Sequence, residues 1–209
     1  VFLNEQVKNS LLELVPRAEE LDPEVVKDVA FHHSASGIDI LAAPPRPEMA
    51  EKVNADQFGK MLQYLRQMYA YILLDTSSYL TDVVQVSIEA ADMIVLITTQ
   101  DIPAIKNANS FLTLTDASGI KREKIIFVMN RYDKRISIAP ERVGESLRQP
   151  IPIAIPLDDR IVSGSINRGV PFVIDNKAQP TSKAIFQLAD LVRERLTNPE
   201  GQPDAAGKK

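Results

Sequence analysis

Three polar clusters stand where apolar runs end, and their residue types could serve one ligand. Tyr71-Ile72-Leu73-Leu74 runs without a break into Asp75, and Thr76-Ser77-Ser78 follow, so a carboxylate and three hydroxyls close the run. A strand buried on both faces reads this way when it delivers a carboxylate to a phosphate and magnesium site. The plainer alternative is a strand that stops at a polar turn. Ile125 to Met129 ends in Asn130-Arg131, and an amide there offers both donors and an acceptor to a purine edge. Its plainer reading is a strand-end cap bonding its own turn. Ile155-Pro156-Leu157-Asp158 forms the third cluster. In a parallel sheet the carboxyl ends of all strands share one edge, so residues distant in sequence can converge on one ligand.

Elements must hold these residues in place. Strand-like runs at Ile38 to Ala42, Tyr71 to Asp75, Met93 to Thr98, Lys124 to Asn130 and Ile151 to Ile155 alternate with segments of helical character. This alternation predicts an α/β domain of three layers with a mainly parallel sheet. Gln57 to Met68 and Leu80 to Ala91 carry apolar residues at spacings of three and four, as covering helices do. Ile102 to Ala117 is a further amphipathic segment, opened by Asp101 and Pro103 and closed by Ser118-Gly119. Arg131 to Arg135 reads as a charged connector, and Ala139 to Leu147 as a short helix. Leu157 to Arg168, closed by Gly169 and Pro171, and Thr181 to Leu196 complete the helices.

A chain of 209 residues with a formal charge of -4 is expected to form one sizeable core. It has no overall basic field of the kind that binds phosphate backbones, so nucleic acid is not the expected partner. With no cysteine, disulfides and thiolate metal sites are excluded, which fits a cytoplasmic protein. No apolar stretch approaches the ~20 residues of a membrane helix. The chain opens on Val1, which points to a processed product or a piece of something longer.

The ordered segments Tyr71 to Thr76, Asp92 to Asp101, Phe127 to Arg131, Ile155 to Asp158 and Asn167 to Pro171 resemble the MinD/ParA family of deviant-Walker P-loop ATPases. Within it they most resemble the pilus-assembly, response-regulator-linked branch typified by CpaE and TadZ. The resemblance implies that Asp75 is the Walker B or switch II acid, holding Mg2+ through water, with Thr76 its switch neighbour. It implies that Asn130 and Arg131 contact adenine while Pro156, Leu157 and Asp158 frame the base. The activity implied is hydrolysis of ATP in a nucleotide-sandwich homodimer, acting as a switch that places or assembles pilus or secretion machinery. Such proteins reach a cell pole or inner-membrane complex through partners, and some carry a receiver-like domain upstream. The polar end of this chain lacks the amphipathic C-terminal helix of the MinD branch, so direct membrane insertion is not expected.

One part of the family pattern is missing. A phosphate-binding loop needs two glycines and a Gly-Lys pair at fixed spacing, so that backbone N–H groups can approach the phosphates. Gly-Lys occurs only at Gly59-Lys60 and Gly207-Lys208, and Asn54 and Gln202 stand where the first glycine belongs. Residues 1–197 are therefore expected to be an N-terminally incomplete ATPase domain without the P-loop strand and helix, and 198–209 a disordered tail. Val1-Phe2-Leu3-Asn4 matches the region after the family's second strand. Such a chain is expected to bind ATP poorly or not at all, and its sheet to carry a gap.

Two alternatives stay open: an interaction scaffold with an ATPase-like fold, and a GTPase. Asn130-Arg131-Tyr132-Asp133 approaches the Asn-Lys-x-Asp guanine signature, but Arg replaces Lys and Ser78 stands where GTPases place Gly. Other polar residues have plainer readings. His32-His33 falls in an expected loop, Asp158-Asp159 suits a helix start, and Met61 and Tyr64 suit core packing. Lys121, Arg122 and Lys124 read as solvated surface, and no serine or cysteine nucleophile is arranged for catalysis.

Overall fold

Side-chain caps at Asp22, Asn54, Thr81, Asp101 and Asp158 set the start of five helices, and proline in the first turn marks others. The computed structural model describes residues 8–198, so the Val1 to Asn4 match and residues 199–209 of the expected tail lie outside the described residues. The chain divides into two compact units, one ending at Ala91 and the other beginning at Asp92.

In the first unit, Ser10 and Glu13 form a reciprocal capping box on a 3-10 turn at Leu11–Glu13, and a second 3-10 turn spans Val15–Arg17. Asp22 caps helix α1 (Pro23–Val29), and strands β1 (Phe31–His33) and β2 (Ile38–Ile40) follow. A short helix α2 (Pro47–Ala50) precedes α3 (Ala55–Met68), capped by Asn54, and α4 (Asp82–Ala90), capped by Thr81. Leu14, Val15, Val26, Phe58, Met61, Leu62 and Leu65 make one core, with Tyr64 packed against it, as the spacing in α3 predicts.

Two strand expectations need correction here. Ile38–Ile40 does not enter a parallel sheet; it pairs antiparallel with Phe31–His33, turning at Gly37, whose φ of 70° suits a residue without a Cβ. His32 and His33 consequently lie on a strand rather than in a loop. Tyr71 to Asp75 forms no ladder at all. None of the backbone N–H or C=O groups from Tyr71 to Thr76 has a hydrogen-bond partner among the described residues. An apolar pattern supplies the side chains of a buried strand, but a strand also needs a neighbour to satisfy its backbone. Leu73 is 91% exposed and Tyr71 57%, while Ile72 packs on the core.

The second unit is α/β. Strands β3 (Ile94–Thr99), β4 (Ile125–Tyr132) and β5 (Ile153–Pro156) form a parallel sheet in that order. Helices α5 (Ile102–Ala117), α6 (Pro140–Leu147), α7 (Asp159–Arg168), α8 (Phe172–Asp175) and α9 (Pro180–Thr197) complete it. Ile125 to Met129 are all fully buried, because β4 is central and covered twice. Ile126 and Val128 meet β5 and α9 on one face; Phe127 and Met129 meet α5 and α6 on the other. These are the three expected layers. Burying each such side chain contributes about 1.5–3 kcal/mol. β3 is an edge strand with Val95 and Ile97 exposed.

Candidate functional site

The end of β4 is held in an unusual backbone conformation. Arg131 has φ 55°, in the left-handed region, which for a residue with a Cβ costs about 1 kcal/mol or more. Pairing between β4 and β5 also shifts register between Met129 and Tyr132. Several bonds hold this bend. The Asn130 side-chain oxygen accepts from Arg131 N–H at 2.8 Å, and Leu157 N–H donates to Tyr132 C=O at 2.9 Å. The Arg131 guanidinium stands 3.3 Å from Asp159 at the start of α7.

This arrangement brings Asn130, Arg131, Pro156, Leu157 and Asp158 to one end of the sheet in the second unit. Pro156 is the register partner of Tyr132, and its carbonyl accepts from the Thr181 hydroxyl at 3.4 Å. Asp158 caps α7, its carboxylate accepting from Ile161 N–H at 3.0 Å. The plainer readings of Asn130 and Asp158 therefore hold in part: one bonds its own turn, the other caps a helix. Asn130 nevertheless keeps its two amide N–H donors unengaged among the described residues, aimed at no internal acceptor. An amide with free donors at the carboxyl edge of a parallel sheet can bind ring nitrogens of a purine.

Asp133 is committed elsewhere. Its carboxylate accepts from the backbone N–H of Arg135 at 2.9 Å and from the Arg135 guanidinium through both oxygens. The hydrogen bonds from Arg135 hold its carboxyl at about 2, well below the usual carboxylate range. A guanine base would have to displace Arg135 to reach it.

Asp75 and Thr76 belong to the first unit, where both are exposed and neither has a side-chain partner among the described residues. No group of three or more His, Cys, Asp or Glu that could hold a metal occurs among the described residues. His32 donates at 2.7 Å to the Asp39 carboxylate, which also accepts from the Tyr69 hydroxyl at 3.0 Å, and His33 bonds the Ser36 hydroxyl at 2.6 Å, so the histidine pair serves the β1–β2 hairpin. Arg122 is not simply solvated; it forms a bidentate pair with Asp116. No helix among the described residues is long and apolar enough to cross a membrane.

Sequence reasoning missed Gln100, the buried residue that follows β3. Its amide donates to Ile138 C=O at 2.7 Å and accepts from Asp133 N–H at 2.8 Å. Its one sequence signal was its place at the end of a predicted parallel strand.

Known proteins resemble this chain in sequence and in fold. No protein-family model matches it. A putative septum site-determining protein MinD of Emiliania huxleyi is 25% identical over 142 residues, 66% of this chain and 51% of the relative. The MinD of Synechocystis is 22% identical over 174 residues, 81% of this chain and 62% of the relative. The chain thus spans between half and two thirds of the length of these curated relatives. Among solved structures, a ParA family ATPase from Chlorobium tepidum superposes with a TM-score of 0.82 at 19% identity, covering 90% of this chain and 78% of that one. MinD from Pyrococcus horikoshii, complexed with Mg-ADP, gives 0.75 at 20% identity over 97% and 80%. MinD in a complex with MinC from Aquifex aeolicus gives 0.75 at 19% identity over 99% and 78%. The fold is that of the MinD and ParA structures, an α/β fold with a parallel sheet and P-loop NTPase-like, as the sequence resemblance implies.

Proposed function

We propose that this chain is the downstream part of a MinD/ParA-like ATPase of the CpaE/TadZ type, an ATP-dependent switch for placing or assembling pilus or secretion machinery. The observation that carries the reading is the end of β4, where Asn130 offers free amide donors beside the Pro156 to Asp158 loop. In this reading Asn130 and Arg131 contact adenine, Pro156, Leu157 and Asp158 frame it, and Asp75 with Thr76 would face Mg2+ through water. The complete domain would work as a homodimer in the cytoplasm, recruited to a pole or inner-membrane complex by protein partners, without nucleic acid.

The residues present fit the two ends of ATP differently. A purine fits the amide and strand-end loop. The triphosphate does not fit: the 209 residues contain no Gly-x-x-x-x-Gly-Lys-Ser/Thr, and Asp75 belongs to no group of three or more His, Cys, Asp or Glu among the described residues. Magnesium and the phosphate loop supply charge stabilisation in phosphoryl transfer, and no hydrolytic step follows from these residues alone. That mismatch favours one second reading, a non-catalytic scaffold. Guanine is disfavoured because Arg135 occupies the Asp133 carboxylate.

Titration of the isotopically labelled chain with AMP, ATP-Mg2+ and GMP, read by amide chemical shifts, tests the reading. Weak, saturable shifts at Asn130, Arg131 and Leu157 with the adenine nucleotides, lost in Asn130→Ala, are expected. No response at those amides at millimolar nucleotide leaves the scaffold, and a stronger response to GMP leaves the GTPase.

A further inference from the structure

Gln100 spans the connection between β4 and α6 from outside it. Thr99, the last residue of β3, is the register partner of Asn130, so the next residue stands beside the end of β4. From there Gln100 reaches Asp133, immediately after β4, and Ile138, two residues before α6 begins. One amide thus ties the first N–H and the last C=O of the six-residue stretch 133–138. The side chain is only 7% exposed, so its two bonds are sheltered from competing water.

We propose that Gln100 is a positioning residue of the base site: by clamping Asp133 N–H and Ile138 C=O it sets how Asn130 and Arg131 meet a purine. The inference rests on the base-contact reading above. Asn130 and Arg131 sit between two anchors, the β4 ladder before them and the clamped Asp133 after them. With the second anchor gone, only the Leu157 to Tyr132 bond and the Arg131 to Asp159 pair still hold the left-handed Arg131 against the extended backbone preferred for a residue with a Cβ, so its population falls. The Asn130 side-chain oxygen would lose its Arg131 N–H, and the amide would rotate out of its fixed orientation. The clamp has a second effect, because the Asp133 backbone it holds is the one whose carboxylate Arg135 closes off.

The test uses the full chain and AMP as the probe, since base contact does not require a triphosphate. Gln100→Met keeps the length and apolar volume but makes neither bond; Gln100→Glu keeps the oxygen that accepts from Asp133 N–H. Gln149→Leu is the comparison, because Gln149, in the turn after α6, is another buried amide that bonds β4, donating to Ile125 C=O at 2.9 Å at the opposite end of that strand. Gln100→Met is expected to weaken AMP binding about tenfold, as when the binding-competent orientation of Asn130 falls to about a tenth of the molecules. Amides of Ile126 to Val128 should stay at their wild-type shifts, and the AMP response at Asn130 and Arg131 should shrink. Gln100→Glu should recover part of the affinity, and Gln149→Leu should leave it within about twofold. Equal AMP affinity in Gln100→Met and the wild type overturns the role of Gln100 alone, as does an equal loss in Gln149→Leu. Absence of AMP shifts at Asn130 and Arg131 in the wild type overturns the base site and this inference together.

Discussion

Single residues decide which chemistry the end of β4 can offer. Asn130 spends its oxygen on the Arg131 N–H and keeps its donors, while Asp133 spends its whole carboxylate on Arg135. The second choice has a pH signature. Asp133 titrates near 2 in the folded chain, below the ~3.9 of an unperturbed aspartate. A depressed carboxylate binds fewer protons folded than unfolded, so what the pair contributes is present above about pH 4 and is lost as pH falls through 2. Arg135 is exposed on the surface, and the use of the pair lies in occupying the carboxylate rather than in stability. Arg135→Ala is expected to return the Asp133 carboxyl toward the ordinary aspartate value, read from its side-chain carbon shift across an acid titration. An unchanged midpoint would mean that another group depresses it. The same variant frees both oxygens of Asp133, so its GMP response should rise relative to its AMP response.

Elements show where local pattern suffices and where it does not. Two helix glycines illustrate how the packed sheet constrains its cover. In α7 a Cβ on Gly164 would meet only the mobile end of Arg168 at 3.4 Å, so Gly164→Ala should stabilise by about 0.5–1 kcal/mol through helix propensity. In α6 a Cβ on Gly144 would meet backbone atoms of Gln149, Pro150 and Ile151 at 3.2 to 3.4 Å, and backbone cannot move aside cheaply. Gly144→Ala should therefore lower the melting temperature while Gly164→Ala raises it; equal shifts in both would show that packing around α6 yields. β4 was legible because five successive buried residues leave an unbroken apolar run, and α5 because Asp101 and Pro103 mark its start. Gly169 was legible as a helix end and takes φ 66° there. The β1–β2 hairpin was not, since three-residue strands are defined by whom they pair with, which Ile38 and Ile40 do not announce. Tyr71 to Leu74 was misread for the same reason. At the site, Asn130 was legible as an amide ending a strand, whereas Gln100 finds its partners 33 and 38 residues away, a separation no periodicity records.

At the scale of the whole molecule, each unit leaves an extended apolar segment with at least one side unpaired among the described residues. In the first, Tyr71 to Thr76 leave their backbone groups unpaired and Leu73 in solvent. In the second, β3 presents an open edge with Ile97 56% exposed, although strands of parallel sheets ordinarily have both faces covered. Open edges bearing apolar side chains are templates for pairing with another chain, and natural proteins blunt them with charge or proline. Neither β3 nor Tyr71 to Leu74 contains a charge or a proline. The chain is therefore expected to self-associate without nucleotide across micromolar to millimolar concentrations, where exposed edges drive aggregation. Sedimentation velocity at rising concentration reads this directly, and Ile97→Lys and Leu73→Lys should each reduce the associated fraction by placing a charge on one edge. The outcome separates edge pairing from a nucleotide-sandwich dimer, because the sandwich forms through ATP and these edges do not need it. A chain that stays monomeric without ATP and associates only when it is added would show that these strand surfaces are already protected, and that nucleotide governs assembly.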